Sequence, residues 1–216
     1  MAITPDGSPV EMYLHLPAAR KEAELVHGAI PERAEILELG CGVGRVTHPL
    51  VDLGHAVVAV DESDEMLAHV RGAERICCRI EELELNRRFA CVLMMSHLVN
   101  TEHSQRSEFL AAAARHVAPG GVVLIERYDP AWRPDETAPK RHGDVLISLQ
   151  DVSVEDDHFS ATARYQLGAT IWLQPFTAWI LDDTQLGESL AAVGLDLAEA
   201  LDDSGRWVAA RPILSA

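Results

Sequence analysis

Positive charge is scarce in this chain. Eighteen lysines and arginines stand against 34 aspartates and glutamates, a formal net charge of -16 at pH 7. A field of that sign repels phosphate backbones and anionic lipid surfaces, and no basic patch overrides it locally, so neither a nucleic-acid nor a membrane partner is expected. No apolar run approaches the ~20 residues needed to span a bilayer. The start, from Met1 to Gly7, lacks a basic segment leading into an apolar core, so the expected location is the cytoplasm. Cysteine is scarce. Cys41, Cys77, Cys78 and Cys91 show no CxxC spacing; they read as buried free thiols in or beside strands, which suits a reducing compartment and argues against a metal or redox centre. No repeat or low-complexity tract is present. What remains, 216 residues with 48% hydrophobic and 24% charged content, is enough for one domain, 1-216, with its own core.

The stretch that organises the rest is Ile36-Leu37-Glu38-Leu39-Gly40-Cys41-Gly42-Val43-Gly44-Arg45-Val46-Thr47. A short apolar run ends in a carboxylate, meets three glycines at alternate positions and continues with helical spacing, so it reads as strand, tight loop and helix. Glycine there lets the backbone approach a ligand and adopt positive φ. The spacing is GxGxG. Arg45 stands where a dinucleotide fingerprint would place its third glycine, and no GK[ST] is present for a phosphate loop. About twenty residues past the first glycine, the buried run Ala56 to Val60 ends in Asp61, a carboxylate that in a parallel sheet faces the ligand crevice and can accept both ribose hydroxyls. That geometry serves a nucleoside and does not by itself choose between cofactors.

The E-x-G-x-G-x-G form, together with Asp61, the Ala118-Pro119-Gly120-Gly121 turn before an apolar strand, and a terminal strand pair, resembles the class I S-adenosylmethionine-dependent methyltransferases of the small-molecule type. The resemblance implies an α/β fold: a three-layer Rossmann-like arrangement with a seven-stranded, mostly parallel sheet and an antiparallel last strand. It implies S-adenosyl-L-methionine as cofactor, S-adenosyl-L-homocysteine as product and a small-molecule acceptor. It also implies that the Gly40, Gly42 and Gly44 backbone approaches the methionyl end, that Glu38 orients its ammonium and that Asp61 holds the ribose. Cys41, Glu62, Met66 and Ser96 join them as cofactor-site residues. An aspartate after the third strand commonly takes the adenine amino group in such enzymes; here Arg79 holds that place, leaving the Ile80 main chain and the Glu81 side chain on an extended segment as the adenine candidates.

Several elements are read along the chain. Pro17 suits the first turn of a helix to about Ala29, preceded by an irregular stretch; the resemblance implies that residues 1 to about 30 form a lid, with Tyr13 and His15 as pocket candidates or else side chains that merely pack or sit at the surface. Helices are expected to Gly54, from Asp64 to Gly72 and around Phe109, Leu110 and Ala113. Ser96 to Asn100 closes the fourth strand at the topological switch point, where ligands bind. The [DNS]PPY motif of nucleic-acid amino methylation is absent there. His97 has four readings: taking a proton from a hydroxyl acceptor, stacking on the cofactor, orienting the acceptor, or packing as a satisfied structural histidine. No metal is expected. From Asp144 to Ile180 the period changes to two, with turns at Asp156-Asp157 and Gly168-Ala169, which predicts an inserted antiparallel sheet; the resemblance implies that it roofs the acceptor cavity or makes a homodimer contact, a purely structural apron being the other reading. Two other functions stay open on sequence alone: a methyltransferase-like cofactor-binding or regulatory protein without catalysis, and a nicotinamide-dependent oxidoreductase.

Overall fold

The computed structural model describes residues 3–4, 7–135 and 137–213; the reading of the chain's start falls largely outside them. Its helices are α1 (Val10–Leu14), α2 (Arg20–Ala29), α3 (Thr47–Asp52), α4 (Asp64–Leu67), α5 (His103–His116) and α6 (Asp183–Ala191). The strands are β1 (Glu35–Leu39), β2 (Ala56–Asp61), β3 (Glu74–Cys77), β4 (Phe89–Met94), β5 (Val117–Glu126), β6 (Lys140–His142), β7 (Val145–Val154), β8 (His158–Leu167), β9 (Thr170–Trp179), β10 (Leu195–Ala200) and β11 (Trp207–Pro212). Among the described residues they form a seven-stranded sheet in the order β10-β11-β5-β4-β1-β2-β3 and a four-stranded sheet in the order β6-β7-β8-β9. The pairs among β1 to β5 are parallel, and β11 runs antiparallel to both β5 and β10. This is the α/β architecture the resemblance implies.

Side chains of a strand alternate between faces, and here both faces of the large sheet are buried. Leu37, Leu39, Val58, Val60, Val92, Met94, Val123 and Ile125 pack with Phe109 and Leu110 of α5 and Leu186 and Leu190 of α6. Ile36, Val57, Cys91, Leu93, Val122 and Leu124 pack the other way, against Ala23 and Val26 of α2 and Leu50 of α3. The near-continuous apolar runs of β1, β2 and β4 follow from that two-sided burial. α6 is held at its start by a capping box between Asp182 and Gln185. No helix of the described residues is long and apolar enough to cross a membrane.

Four boundaries differ from the sequence reading. The chain is not helical from Pro17: Arg45 draws in the Pro17 carbonyl with its Nε at 2.9 Å and accepts the Ala19 N–H at 2.9 Å, so α2 begins at Arg20, while Val10–Leu14 in the stretch expected to be irregular forms a short helix. α4 ends at Leu67 rather than near Gly72, because His69 and Val70 donate to carbonyls only three residues back and tighten the chain into turns. Residues 118–121 lie within one long strand, β5, carrying a register shift opposite Phe89 to Cys91. A Cβ on Gly121 would sit 2.8 Å from the Ala90 carbonyl and 2.9 Å from that of Phe89, which accounts for glycine there. The inserted sheet begins at Lys140, ahead of the expected Asp144. The thiols also divide: Cys41 and Cys91 are buried, whereas Cys77 is exposed and Cys78 half-buried.

Candidate active site

The loop after β1 is shaped by its glycines. Gly40, Gly42 and Gly44 have φ of 67°, 55° and 84°, the left-handed region that a Cβ disfavours. A Cβ on Gly42 would meet nothing within 4 Å, so this backbone fronts open space, whereas one on Gly40 would come within 3.3 Å of Leu98. The Cys41 N–H donates to the Val60 carbonyl at 2.9 Å and binds the loop to β2. Asp61, at the carboxyl end of β2, completes the arrangement: Oδ2 accepts the Gly42 N–H at 2.8 Å and Oδ1 the Ser63 N–H at 3.0 Å. Each carboxylate oxygen can accept a further bond. Ser63 then caps α4 by accepting the Met66 N–H at 3.2 Å, so Met66 is packed under the loop by the same turn that fixes Asp61. Glu62 is exposed on that turn.

Glu38 lies one strand over. It is buried, and its Oε2 accepts the Thr47 hydroxyl at 2.6 Å. Burial, and to a smaller extent the Asp61 charge, push its carboxyl up to about 7, with the Thr47 bond acting the other way. Sequence reasoning passed over Thr47. Its signal was present all the same, a hydroxyl in the first turn of the helix following the glycine loop, nine positions after the carboxylate.

The crevice is covered from two sides. Val10 and Tyr13 of α1 pack on Val43 of the glycine loop and on Met66, so the N-terminal helix lies across the loop. From the inserted sheet, the Tyr165 hydroxyl donates to Gln174 Oε1 at 3.3 Å and Gln174 Nε2 donates to Ser8 at 2.9 Å; Tyr165 also bonds Tyr13. His97 meets this sheet at the Thr177 carbonyl, 3.1 Å from Nε2, with Phe176 and Tyr128 edge-on at centroid distances of 5.7 and 6.3 Å. A carbonyl only accepts, so Nε2 carries the proton and any base function falls to Nδ1. His15 is exposed, its ring 6.5 Å from that of Trp172.

Other candidates are placed less directly. Ser96 is exposed at φ 59° and spends its N–H on Glu126 Oε2 at 2.7 Å. Glu126 is buried at the end of β5, and its other oxygen pairs with Arg206. The segment of Ile80 and Glu81 is a 3-10 turn, not extended chain; Ile80 is buried and Glu81 pairs with Arg79, since the turn brings the two side chains to one side. Asn100, buried between the two sheets, is a residue the sequence did not single out for this role. A cleft of about 320 Å³ is lined by Gly28, Pro31, Gly121 and Arg211, none of them a residue of this site.

Residues 36–121 match the family model for a methyltransferase domain, the segment that carries the glycine loop, Glu38, Asp61 and His97. The chain is similar to methyltransferases over that part of its length. It is 30% identical over 125 residues to dTDP-3-amino-3,4,6-trideoxy-alpha-D-glucopyranose N,N-dimethyltransferase of Streptomyces venezuelae, covering 54% of this chain and 50% of that one. It is also 30% identical over 107 residues to a ubiquinone biosynthesis O-methyltransferase of Bradyrhizobium sp. (strain ORS 278), 45% and 41% of the two chains. The match thus spans half or less of these curated relatives. Among solved structures, the CcbJ methyltransferase from Streptomyces caelestis aligns with a TM-score of 0.72 at 21% identity over 98% of this chain and 93% of that one. CalS10, an amino pentose methyltransferase from Micromonospora echinaspora, aligns at 0.69 with 20% identity over 95% and 92%. These two likenesses show the fold of this chain over nearly its whole length.

Proposed function

We propose that this chain transfers a methyl group from S-adenosyl-L-methionine to a small-molecule acceptor. The observation that carries the reading is the Asp61 carboxylate, fixed at the end of β2 against Gly42 of a left-handed glycine loop whose backbone fronts open space. The donor set fits the cofactor. Asp61 has acceptor capacity for two ribose hydroxyls. Glu38, pushed up to about 7, gains a partner when an ammonium approaches, and the three glycines leave room for a methionyl chain. When bound, the cofactor supplies an activated methyl group on a sulfonium.

The protein's own task is then to place the acceptor and keep water out. Positioning contributes on the order of 7 to 11 kcal/mol to such reactions, whereas a general base adds about 10²- to 10⁴-fold; geometry carries the larger share. In this reading Cys41, Glu62, Met66, Ile80, Glu81 and Ser96 line the cofactor side, and His97, Tyr13 and His15 face the acceptor. The N-terminal residues to about 30 serve as the lid. The inserted sheet is read as a roof rather than a dimer contact, because its inward face supplies Tyr165, Phe176 and the carbonyl that holds His97. The N-methylated amino sugars and the O-methylation in the relatives' names support a small acceptor and leave its nucleophile open.

The test is calorimetric titration with S-adenosylhomocysteine, followed by assay of S-adenosylhomocysteine release across a panel of amine and hydroxyl acceptors. Uptake of cofactor and product by the purified chain is expected; absence of both rejects the proposal.

A further inference from the structure

We propose that Thr47 is a positioning residue for the cofactor: its hydroxyl fixes one oxygen of Glu38 so that the other is presented to the ammonium of the methionyl end. This rests on the methyl-transfer reading above and adds to it a residue that acts through Glu38 alone.

Glu38 and Glu126 are the buried carboxylates among the described residues, and they are compensated differently. Glu126 pairs with Arg206 and accepts the Ser96 N–H. Glu38 forms no ion pair among the described residues, and its side chain takes one hydrogen bond, from the Thr47 hydroxyl to Oε2 at 2.6 Å. The titratable groups that face it, Asp61 at the end of β2 and Cys41 of the glycine loop, bring no positive charge. A carboxylate taken out of water without a counter-charge is costly, so this one is completed by a cation from outside the chain. Burial drives it toward the neutral form, and the Thr47 bond opposes that by stabilising the ionised state an ammonium requires.

The two oxygens are in different positions. Oε2 is held by Thr47, whereas Oε1 accepts from no described residue. The buried polar side-chain atoms left without a partner, among the described residues, are His55 Nδ1, Arg106 Nε and Trp172 Nε1; Oε1 is not one of them and therefore keeps an edge open to solvent. Glu38 precedes Gly40 by two residues at the end of β1, and Thr47 opens α3 three residues after Gly44. Their bond thus joins the strand before the glycine loop to the helix after it. Thr47 is fully buried, so its hydroxyl cannot turn to water. A hydroxyl has one proton to donate, and here it goes to Glu38 rather than back to a helix carbonyl, the usual choice of a threonine inside a helix.

The experiment titrates the full chain by calorimetry with two probes, S-adenosylhomocysteine and methylthioadenosine. The second keeps the adenosine and thioether but lacks the amino-acid end, and its affinity is read by displacement of the first. Thr47→Val keeps the side-chain shape without the hydroxyl; it should weaken S-adenosylhomocysteine about tenfold and leave methylthioadenosine within about twofold. Thr47→Ser should return S-adenosylhomocysteine to within about threefold of wild type. In a Glu38→Gln background Thr47→Val should add no further loss, because no charge is left to orient. Thr47→Ala, which also lacks the hydroxyl and suits a helix better, takes the place of the valine variant where that one folds poorly.

Equal S-adenosylhomocysteine affinity in wild type and Thr47→Val overturns the proposal. Parallel losses for both probes overturn it as well, because they mean distortion of the whole loop. A serine variant as weak as the valine variant does the same, since the hydroxyl is then not what matters. Wild type that binds no S-adenosylhomocysteine removes the methyl-transfer reading itself; binding that Thr47→Val leaves unchanged removes only this inference.

Discussion

The Gly42 N–H donates to Asp61 Oδ2 at 2.8 Å, joining two residues 19 positions apart at the ends of adjacent parallel strands. The bond aligns a flexible loop with a fixed carboxylate before any ligand arrives, which lowers the ordering cost of binding.

Asp61→Ala removes that alignment and the proposed ribose contacts together. Hydrogen bonds to a charged group are worth about 1.5 to 3 kcal/mol each, so S-adenosylhomocysteine affinity should fall at least tenfold to a hundredfold. Asp61→Asn retains one acceptor oxygen and should fall between the two. Calorimetry gives the order directly, and an Asp61→Ala protein with wild-type affinity is incompatible with the assignment.

Glu38 makes stability depend on pH. Its native carboxyl sits at about 7 against an ordinary value of 4.5, so between those values the folded state binds more protons than the unfolded state. Stability therefore falls as pH rises through that window, and below it the group exacts no penalty. Glu38→Gln should flatten this dependence and raise unfolding free energy at pH 8 by up to about 3 kcal/mol. Urea melts of both proteins at pH 5 and pH 8 decide it; a variant no more stable at pH 8 than wild type means the buried carboxyl is not strained.

Two glycines should respond differently to alanine, one in the fold alone and the other also in the site. In Gly121→Ala the new methyl would lie 2.8 and 2.9 Å from two carbonyl oxygens, and overpacking of this kind costs about 1 to 3 kcal/mol. A Cβ on Gly42 meets nothing within 4 Å, so Gly42→Ala should cost only the left-handed strain of about 1 to 2 kcal/mol, yet it should lose cofactor affinity because the methyl occupies the open side of the loop. Thermal melts and S-adenosylhomocysteine titrations of the pair separate fold from site. Unimpaired binding by Gly42→Ala would place the cofactor elsewhere.

The glycine loop, Glu38 and Asp61 were legible because local spacing and strand order together fix them: an apolar run buried on both faces must lie inside the sheet, and its carboxyl end must face the crevice. The alternation Ile171, Trp172, Leu173 was legible for a similar reason, with Trp172 buried and its neighbours exposed. Contacts that depend on tertiary turns were not. Met66, Leu67 and Val70 have helical spacing, but three-residue turns bury the same side chains with less helix. Arg79 and Glu81 are two apart, which suggests one side of an extended strand, while a 3-10 turn pairs them directly. The start of α2 was misplaced because the Arg45 clamp, 28 residues from Pro17, has no local trace.

Asn100 shows how the two sheets are held in register. It is fully buried; Nδ2 donates to the Trp179 carbonyl at 2.5 Å and Oδ1 accepts the Tyr128 N–H at 3.1 Å. One amide thereby ties the chain after β4 to the end of β9 and to the second residue past β5. Asn100→Ala leaves a carbonyl and an N–H unpaired, each costing about 1 to 3 kcal/mol when buried, so a destabilisation of about 2 to 6 kcal/mol is expected. Asn100→Asp keeps the acceptor but turns a carboxylate oxygen toward the Trp179 carbonyl, so it should rescue little. The informative readout is local. Amide exchange should accelerate across residues 170–179 while β1 and β2, whose hydrogen bonds Asn100 does not touch, keep their protection relative to the global unfolding limit. Uniform acceleration along the chain would instead make Asn100 a general core residue and leave the attachment of the roof to His97 and Thr177.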